Sequence, residues 1–300
     1  MMTGGGTAGP RPEVAVPCGC ILGEGVVWDH RIATLYWVDI DGEALWSWRP
    51  LAGEEARSRR IGQRIGFALL TEDPAVLLVG LKSGLARLSL GGGEPAILLE
   101  PEPTLPGNRL NDGVAAPDGS VFFGSLNEAD RQPSGQFYHW SGGAPTRFGI
   151  CTVTTNGPAI DPERRLLYAT DTSRGRVYRY LLRPDGSLGE VEDFVTFGEG
   201  DGHPDGMAVD AEGHVWICHF GAGRITRFDP DGEPILVVPM PTPQVTKLAF
   251  GGPDLRTVYA TSAARDLDRR ADPLAGHLFR FEAGVSGLPA DICRLEALLR

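Results

Sequence analysis

The chain has 300 residues, 42% hydrophobic and 22% charged, the balance of a globular protein able to bury a large core. Its net charge of −11 argues against nucleic acid or an anionic membrane as the main partner, since both reward clustered cations. With 41 Gly and 24 Pro, turns are frequent and short strands are favoured over long helices.

Residues 1–12 are Gly-rich and lack the apolar core of a signal peptide, which predicts a disordered tail on a cytoplasmic protein, with residues 13–300 as one domain. No apolar run reaches the ~18 residues of a membrane-spanning helix. The only lysines are Lys82 and Lys247, and Arg57, Arg59 and Arg60 read as a solvated loop. Cys18, Cys20, Cys151, Cys218 and Cys293 are odd in number and widely spaced, which opposes a disulfide framework. Cys18-Gly19-Cys20 has no second Cys/His pair to complete a metal clip, so buried thiols are expected.

From there the chain alternates strand and turn. Gly25–Asp29, Thr34–Asp39 and Ala44–Trp48 have the alternation and aromatic content of half-buried strands. The same pattern returns in Gly66–Leu70, Ala75–Gly80 and Gly84–Leu88. It returns again in Asp112–Ala115, Ser120–Gly124 and Gln136–Trp140. A fourth unit opens at Asn156-Gly157 and continues through Arg165–Asp171 to Arg176–Tyr180. The fifth opens at His203-Pro204-Asp205-Gly206, turns at Glu212-Gly213 and ends in Gly223–Phe228; the sixth runs from Val245–Phe250 to Gly276–Phe281. Trp28, Trp37 and Trp216 fall inside strand patterns and read as packing residues.

The unit starts at Gly25, Gly66, Gly113, Gly157, Gly206 and Lys247 are separated by roughly 41 to 49 residues. That is the period of a four-stranded propeller blade. An all-β, six-bladed β-propeller with four-stranded antiparallel blades accounts for nearly the whole chain. A terminal segment such as Glu13–Pro17 is expected to complete the last blade and close the ring. The first strand of each blade lines the central channel, so the residues at its start meet at one end of the axis. Those positions are Glu24, Arg109 with Asn111, Asn156 and Asp205.

Glu24, Asn156 and Asp205 offer two carboxylates and an amide oxygen, hard donors suited to calcium, magnesium or manganese and less typically to zinc or iron. Singly, each is equally an ordinary Asn-Gly or Asp-Gly turn residue; their shared place in separate blades favours a site. No Gly-x-Ser-x-Gly elbow and no phosphate-binding Gly-rich loop is present.

Leu22-Gly23-Glu24-Gly25-Val26-Val27-Trp28, Asn108-Arg109-Leu110-Asn111-Asp112-Gly113, Asn156-Gly157-Pro158 and Pro204-Asp205-Gly206-Met207 resemble the signature segments of the SMP-30/gluconolactonase/LRE family. Phe250-Gly251-Gly252-Pro253-Asp254 and Pro273-Leu274-Ala275-Gly276 extend the likeness, which runs in order over residues 20–283. The resemblance implies a propeller holding one divalent cation, calcium foremost, with Glu24, Asn156 and Asp205 as ligands. It also implies that Arg109 and Asn111 contact the hydroxyls of a sugar lactone. A further family carboxylate corresponds either to Asn127 or to Glu128, of which Glu128 is taken as the substrate contact.

On this reading a carboxylate acts as general base in lactone hydrolysis, with Asp205 the candidate and direct activation of the water by the cation the alternative. Two rival readings share the site: hydrolysis of another ester or phosphotriester, and calcium binding for regulation without turnover. His203 is read as a loop histidine or a proton shuttle, and Thr172, Ser173 and Arg174 as a turn or the pocket rim. Lys247 is read as half of a structural salt bridge in the channel.

Overall fold

Burial is high on the first two strands of each blade and falls over the third and fourth, and this gradient organises the chain. In the computed structural model, which describes residues 10–129 and 132–300, six four-stranded antiparallel sheets surround a central channel. The inner strands are Gly23–Asp29, Ile65–Leu70, Asn108–Ala115, Thr155–Asp161, His203–Val209 and Val245–Gly251. They are buried almost throughout, whereas outer strands such as Thr146–Thr152 face solvent along most of their length. Small residues let the inner strands approach one another, and large apolar residues on the second and third strands fill the wedges between blades. Trp37 stacks on Trp46 with ring centroids 5.5 Å apart, and Trp216 meets Phe250 edge-on at 5.8 Å. Trp28, Trp37 and Trp216 are buried packing residues, as their place in the strand pattern implies.

The ring closes as expected. Glu13–Val16 pairs antiparallel with Leu278–Glu282 and becomes the fourth strand of the last blade, and Arg280 bonds Glu13 across it at 2.8 Å. After that blade the chain crosses the far end of the channel. The amide of Ala211 donates to Ser286 O at 2.9 Å, and that of Cys293 to Leu70 O at 2.9 Å. A last helical turn, Leu295–Leu298, is held by Glu72, whose carboxylate accepts from the amides of Leu295 and Glu296. Leu295 and Leu298 join the core between blades two and three.

Three local expectations need correction. Arg57–Arg60 is the solvated outer strand of blade one rather than a loop, because Leu45 and its neighbours supply a pairing edge. Cys20, Cys218 and Cys293 are buried thiols, but Cys18 is half-buried and Cys151 is exposed on an outer strand. The inner strands also begin one to five residues before the glycines that mark the repeat, so Asn111, Asn156 and Asp205 lie inside strands rather than in turns. Of the tail expected over residues 1–12, residues 1–9 lie outside the described residues. Among the described residues no helix is long and apolar enough to cross a membrane.

Removing residues 1–16 deletes the closing strand and uncovers Leu278 and Phe279. The truncated chain should lose about 3 kcal/mol or more, seen in a thermal melt as a midpoint lowered by roughly 10 °C. An unchanged midpoint would show that ring closure does not depend on this strand.

Candidate active site

Every inner strand breaks register with its neighbour near its start. The shifts fall between Glu24 and Val27, Ile65 and Phe67, Leu110 and Asp112, Asn156 and Ala159, Pro204 and Met207, and Val245 and Leu248. A bulge re-aims the side chains beside it, and here the bulges point polar side chains into the channel mouth. Gly157 shows why glycine is needed: its φ is +63°, and a Cβ there would lie 2.6 Å from the carbonyl oxygen of Asp205 in the next blade.

The result is a cavity of about 410 Å3 at one end of the channel. Its lining includes Glu24, Arg109, Asn111, Glu128, Asn156 and Asp205, so the structure brings together all the candidate site residues. His203, Thr172 and Ser173 also line it, while Arg174 turns away to pair with Asp171 at 2.5 Å. Glu24, Arg109, Asn111, Asn156 and Asp205 are each less than a tenth exposed.

A directed chain of hydrogen bonds runs through these residues. Arg109 donates to Asn111 Oδ1 at 2.6 Å, and Asn111 Nδ2 donates both to Thr155 O at 2.7 Å and to Asn156 Oδ1 at 2.6 Å. Asn156 Nδ2 in turn donates to Thr172 Oγ1 at 3.1 Å. Glu128 lines the cavity with its carboxylate bonded to Arg64 at 2.7 Å and to Lys82. Asn127 reaches Ser134 at 3.1 Å and Asn108 at 3.3 Å.

Beneath the cavity floor, Lys247 Nζ bonds both oxygens of Asp112, at 2.5 and 2.6 Å. This is the structural salt bridge read for Lys247. Asp112 further accepts from the amides of Gly113 at 2.8 Å and Gly157 at 3.0 Å, so it is fully engaged.

Of the three ligand candidates, the two carboxylates are less well satisfied than Asp112. Burial, aided by the charge of Asp112, pushes the Glu24 carboxyl up to about 8 despite the opposing charge of Lys247. Burial and then the charges of Glu24 and Asp112 raise Asp205 well above the carboxylate range. Asp205 Oδ1 is buried without a hydrogen-bond partner. An orphaned carboxylate oxygen beside a second carboxylate and an amide oxygen is a donor set that fits a hard divalent cation, which would relieve the repulsion. Among the described residues no group of three or more His, Cys, Asp or Glu side chains is placed to hold a metal; here the third donor is the Asn156 amide. Burial also lowers the Arg109 guanidinium to about 10, in keeping with its place on the cavity wall.

Sequence reasoning missed the outer rim. Arg64 reaches Asp41 at 3.1 Å as well as Glu128, and Arg265 lies 3.7 Å from both Asp41 and Asp266. These residues sit in loops of different blades that share no motif; the acidic Asp39-Ile40-Asp41-Gly42 turn was the one available signal.

The chain is similar to known proteins over most of its length. The family profile described as SMP-30/Gluconolactonase/LRE-like region matches residues 22–264. L-arabinolactonase of Azospirillum brasilense is 34% identical, the match covering 89% of this chain and 90% of that one. Pentonolactonase of Haloferax volcanii is 32% identical over 91% of this chain and 95% of its own. The crystal structure of a calcium-binding protein, regucalcin, from Agrobacterium tumefaciens superposes with a TM-score of 0.89 at 28% identity, covering 95% of this chain and 97% of that one.

Two outcomes follow. In cation-free protein, Glu24 keeps its proton up to about pH 8 when folded but ionises near the ordinary 4.5 when unfolded. The unfolded chain therefore releases protons first, and stability should fall as pH rises from about 4.5 to 8. Denaturant titrations at pH 5 and pH 8 should show this fall, and Glu24→Gln should shrink it; an identical fall in the variant would assign it elsewhere. Separately, Lys247→Met leaves Asp112 buried and uncompensated and should cost about 3–5 kcal/mol. Adding Asp112→Asn to it should recover part of that loss in the same titration.

Proposed function

We propose that this chain, which belongs to the SMP-30/gluconolactonase/LRE-like family, hydrolyses a sugar-derived lactone to its acid, with one divalent cation held by Glu24, Asn156 and Asp205. The observation that carries the reading is the cavity itself. It sets a buried, partnerless Asp205 oxygen and a second carboxylate beside the Arg109–Asn111 pair. The names of the relatives, lactonases of pentose-derived sugars, point to the same substrate class.

A cation bound to this oxygen set supplies Lewis-acid polarisation of the lactone carbonyl, worth several kcal/mol in such reactions. The chain's own groups supply the rest. Arg109 and Asn111, pre-oriented by their mutual bond, hold the hydroxyls of the sugar so that the carbonyl carbon is presented to water in one orientation. Asp205 accepts the proton of that water as the new C–O bond forms, then returns it to the ring oxygen as the ring C–O bond breaks. The product is an open-chain hydroxy acid. Glu128, held by Arg64 and Lys82, offers a fixed acceptor on the cavity wall for a further hydroxyl. Calcium fits the all-oxygen donor set, and the similarity to a calcium-binding regucalcin supports it.

The test is a proton-release assay of metal-stripped protein on a panel of neutral aldonolactones, with calcium, magnesium, manganese and zinc added back in turn. Turnover should depend on the added cation and fall about a thousandfold in Asp205→Ala. Cation binding without turnover on any lactone would replace the enzyme with a binding propeller. Cation-independent turnover would remove the metal from the reading.

A further inference from the structure

We infer that Thr172 is a positioning residue that locks two of the three cation-binding groups in register with one another. The inference rests on the cation site proposed above and concerns a residue outside the ligand set.

Thr172 opens a short 3-10 turn, Thr172–Arg174, between the second and third strands of blade four. The turn is itself rigid. Asp171 caps it by accepting from the amide of Arg174, and the Thr172 amide donates to Thr154 O at 3.1 Å. From this fixed base the hydroxyl makes two bonds. It accepts from Asn156 Nδ2 at 3.1 Å and donates to Pro204 O at 2.9 Å, the carbonyl immediately before Asp205. A single oxygen thus ties the amide ligand of blade four to the backbone that carries the carboxylate ligand of blade five.

The direction of these bonds is determined by the groups at the ends of the chain. Pro204 O and Thr155 O are carbonyls and only accept, and the Arg109 guanidinium only donates. Asn111 must therefore turn Nδ2 toward Thr155 O and Oδ1 toward Arg109. The Asn111 amide nitrogen then faces Asn156 Oδ1, and Asn156 must turn its own Nδ2 toward Thr172. The Thr172 hydroxyl has one proton, and Pro204 O takes it, leaving a lone pair for Asn156. No other arrangement satisfies every group. The outcome for function is that the Asn156 carbonyl oxygen, and not its NH2, is the atom available to a cation. Without the hydroxyl, Asn156 Nδ2 loses its acceptor, and the amide, held then only through its Oδ1 by Asn111, gains freedom to twist that oxygen out of line with the site. At the same time Pro204 O loses its donor, and the backbone leading into Asp205 loses its tether. Groups that orient metal ligands in this way commonly change affinity by 10–100-fold.

The experiment is calorimetric titration of calcium into metal-stripped wild-type, Thr172→Val and Thr172→Ser proteins, with thermal melts of the cation-free forms alongside. Valine keeps the branched shape and removes the hydroxyl; serine keeps the hydroxyl and removes the methyl group. The expected result is a calcium affinity lowered about 10- to 100-fold in Thr172→Val, near wild-type affinity in Thr172→Ser, and cation-free melting midpoints within a few degrees of one another. Wild-type affinity in Thr172→Val overturns the inference. So does an equal loss in both variants, which would assign the effect to packing of the turn. Asp205→Ala in the same titration separates the two levels of the argument. If the wild type and Asp205→Ala bind calcium alike, the ligand assignment itself fails. If Asp205→Ala abolishes binding while Thr172→Val does not alter it, only the role of Thr172 fails.

Discussion

The Asp112–Lys247 ion pair is the constraint on which the mouth of this propeller depends. Its partners come from the inner strands of blades three and six, on opposite sides of the channel, and are 135 residues apart in the chain. Asp112 also takes backbone amides from its own strand and from blade four, so one carboxylate joins three blades at the axis. A buried pair of this kind is weak evidence for stability in itself, since desolvation offsets much of the attraction. Its value here is positional. It fixes the separation of opposite strands and places a cationic ammonium under Glu24 and Asp205, the charge that opposes the upward shift of both carboxyls.

Above that crossbar the six bulges convert a repeating scaffold into a unique site. A regular inner strand would send alternate side chains toward the neighbouring blades and would not gather Glu24, Asn111, Asn156 and Asp205 at one depth. Asn111 and Asp205 fall in the gap the bulge leaves in the ladder, Glu24 and Asn156 are the last residues paired before it, and glycine nearby permits the close passage of the next strand. The same backbone device therefore serves every blade, while the side chain it aims differs from blade to blade.

This division explains what could be read from the chain alone. The 41- to 49-residue period is written in local turn and strand chemistry, so the blade number, the closing strand and the common level of Glu24, Asn156 and Asp205 were accessible. Local chemistry puts the strand starts too late because Asn-Gly and Asp-Gly normally signal turns, whereas here they mark bulges inside strands. The Asp112–Lys247 partnership could be guessed in kind but not in partner, since nothing local links positions in opposite blades. The rim pairs of Asp41, Arg64 and Arg265 were illegible for the same reason: they meet only after the ring has closed. Thr172 could be placed near the pocket, but its bond to Pro204 O depends on the distance between two blades.

The crossbar and the C-terminal crossing together divide the channel into two chambers with no lining residue in common. The lower one, about 390 Å3 and walled mainly by apolar side chains, has Leu288–Asp291 across its end. The upper chamber therefore shares no wall with the lower one, and its lining reaches the rim residues Asp41, Arg64, Glu128, Arg265 and Asp266. Along that rim three carboxylates, Asp41, Glu128 and Asp266, meet three cations, Arg64, Lys82 and Arg265. Their charges offset one another, so the mouth offers a fixed polar geometry rather than a net field to whatever enters or leaves.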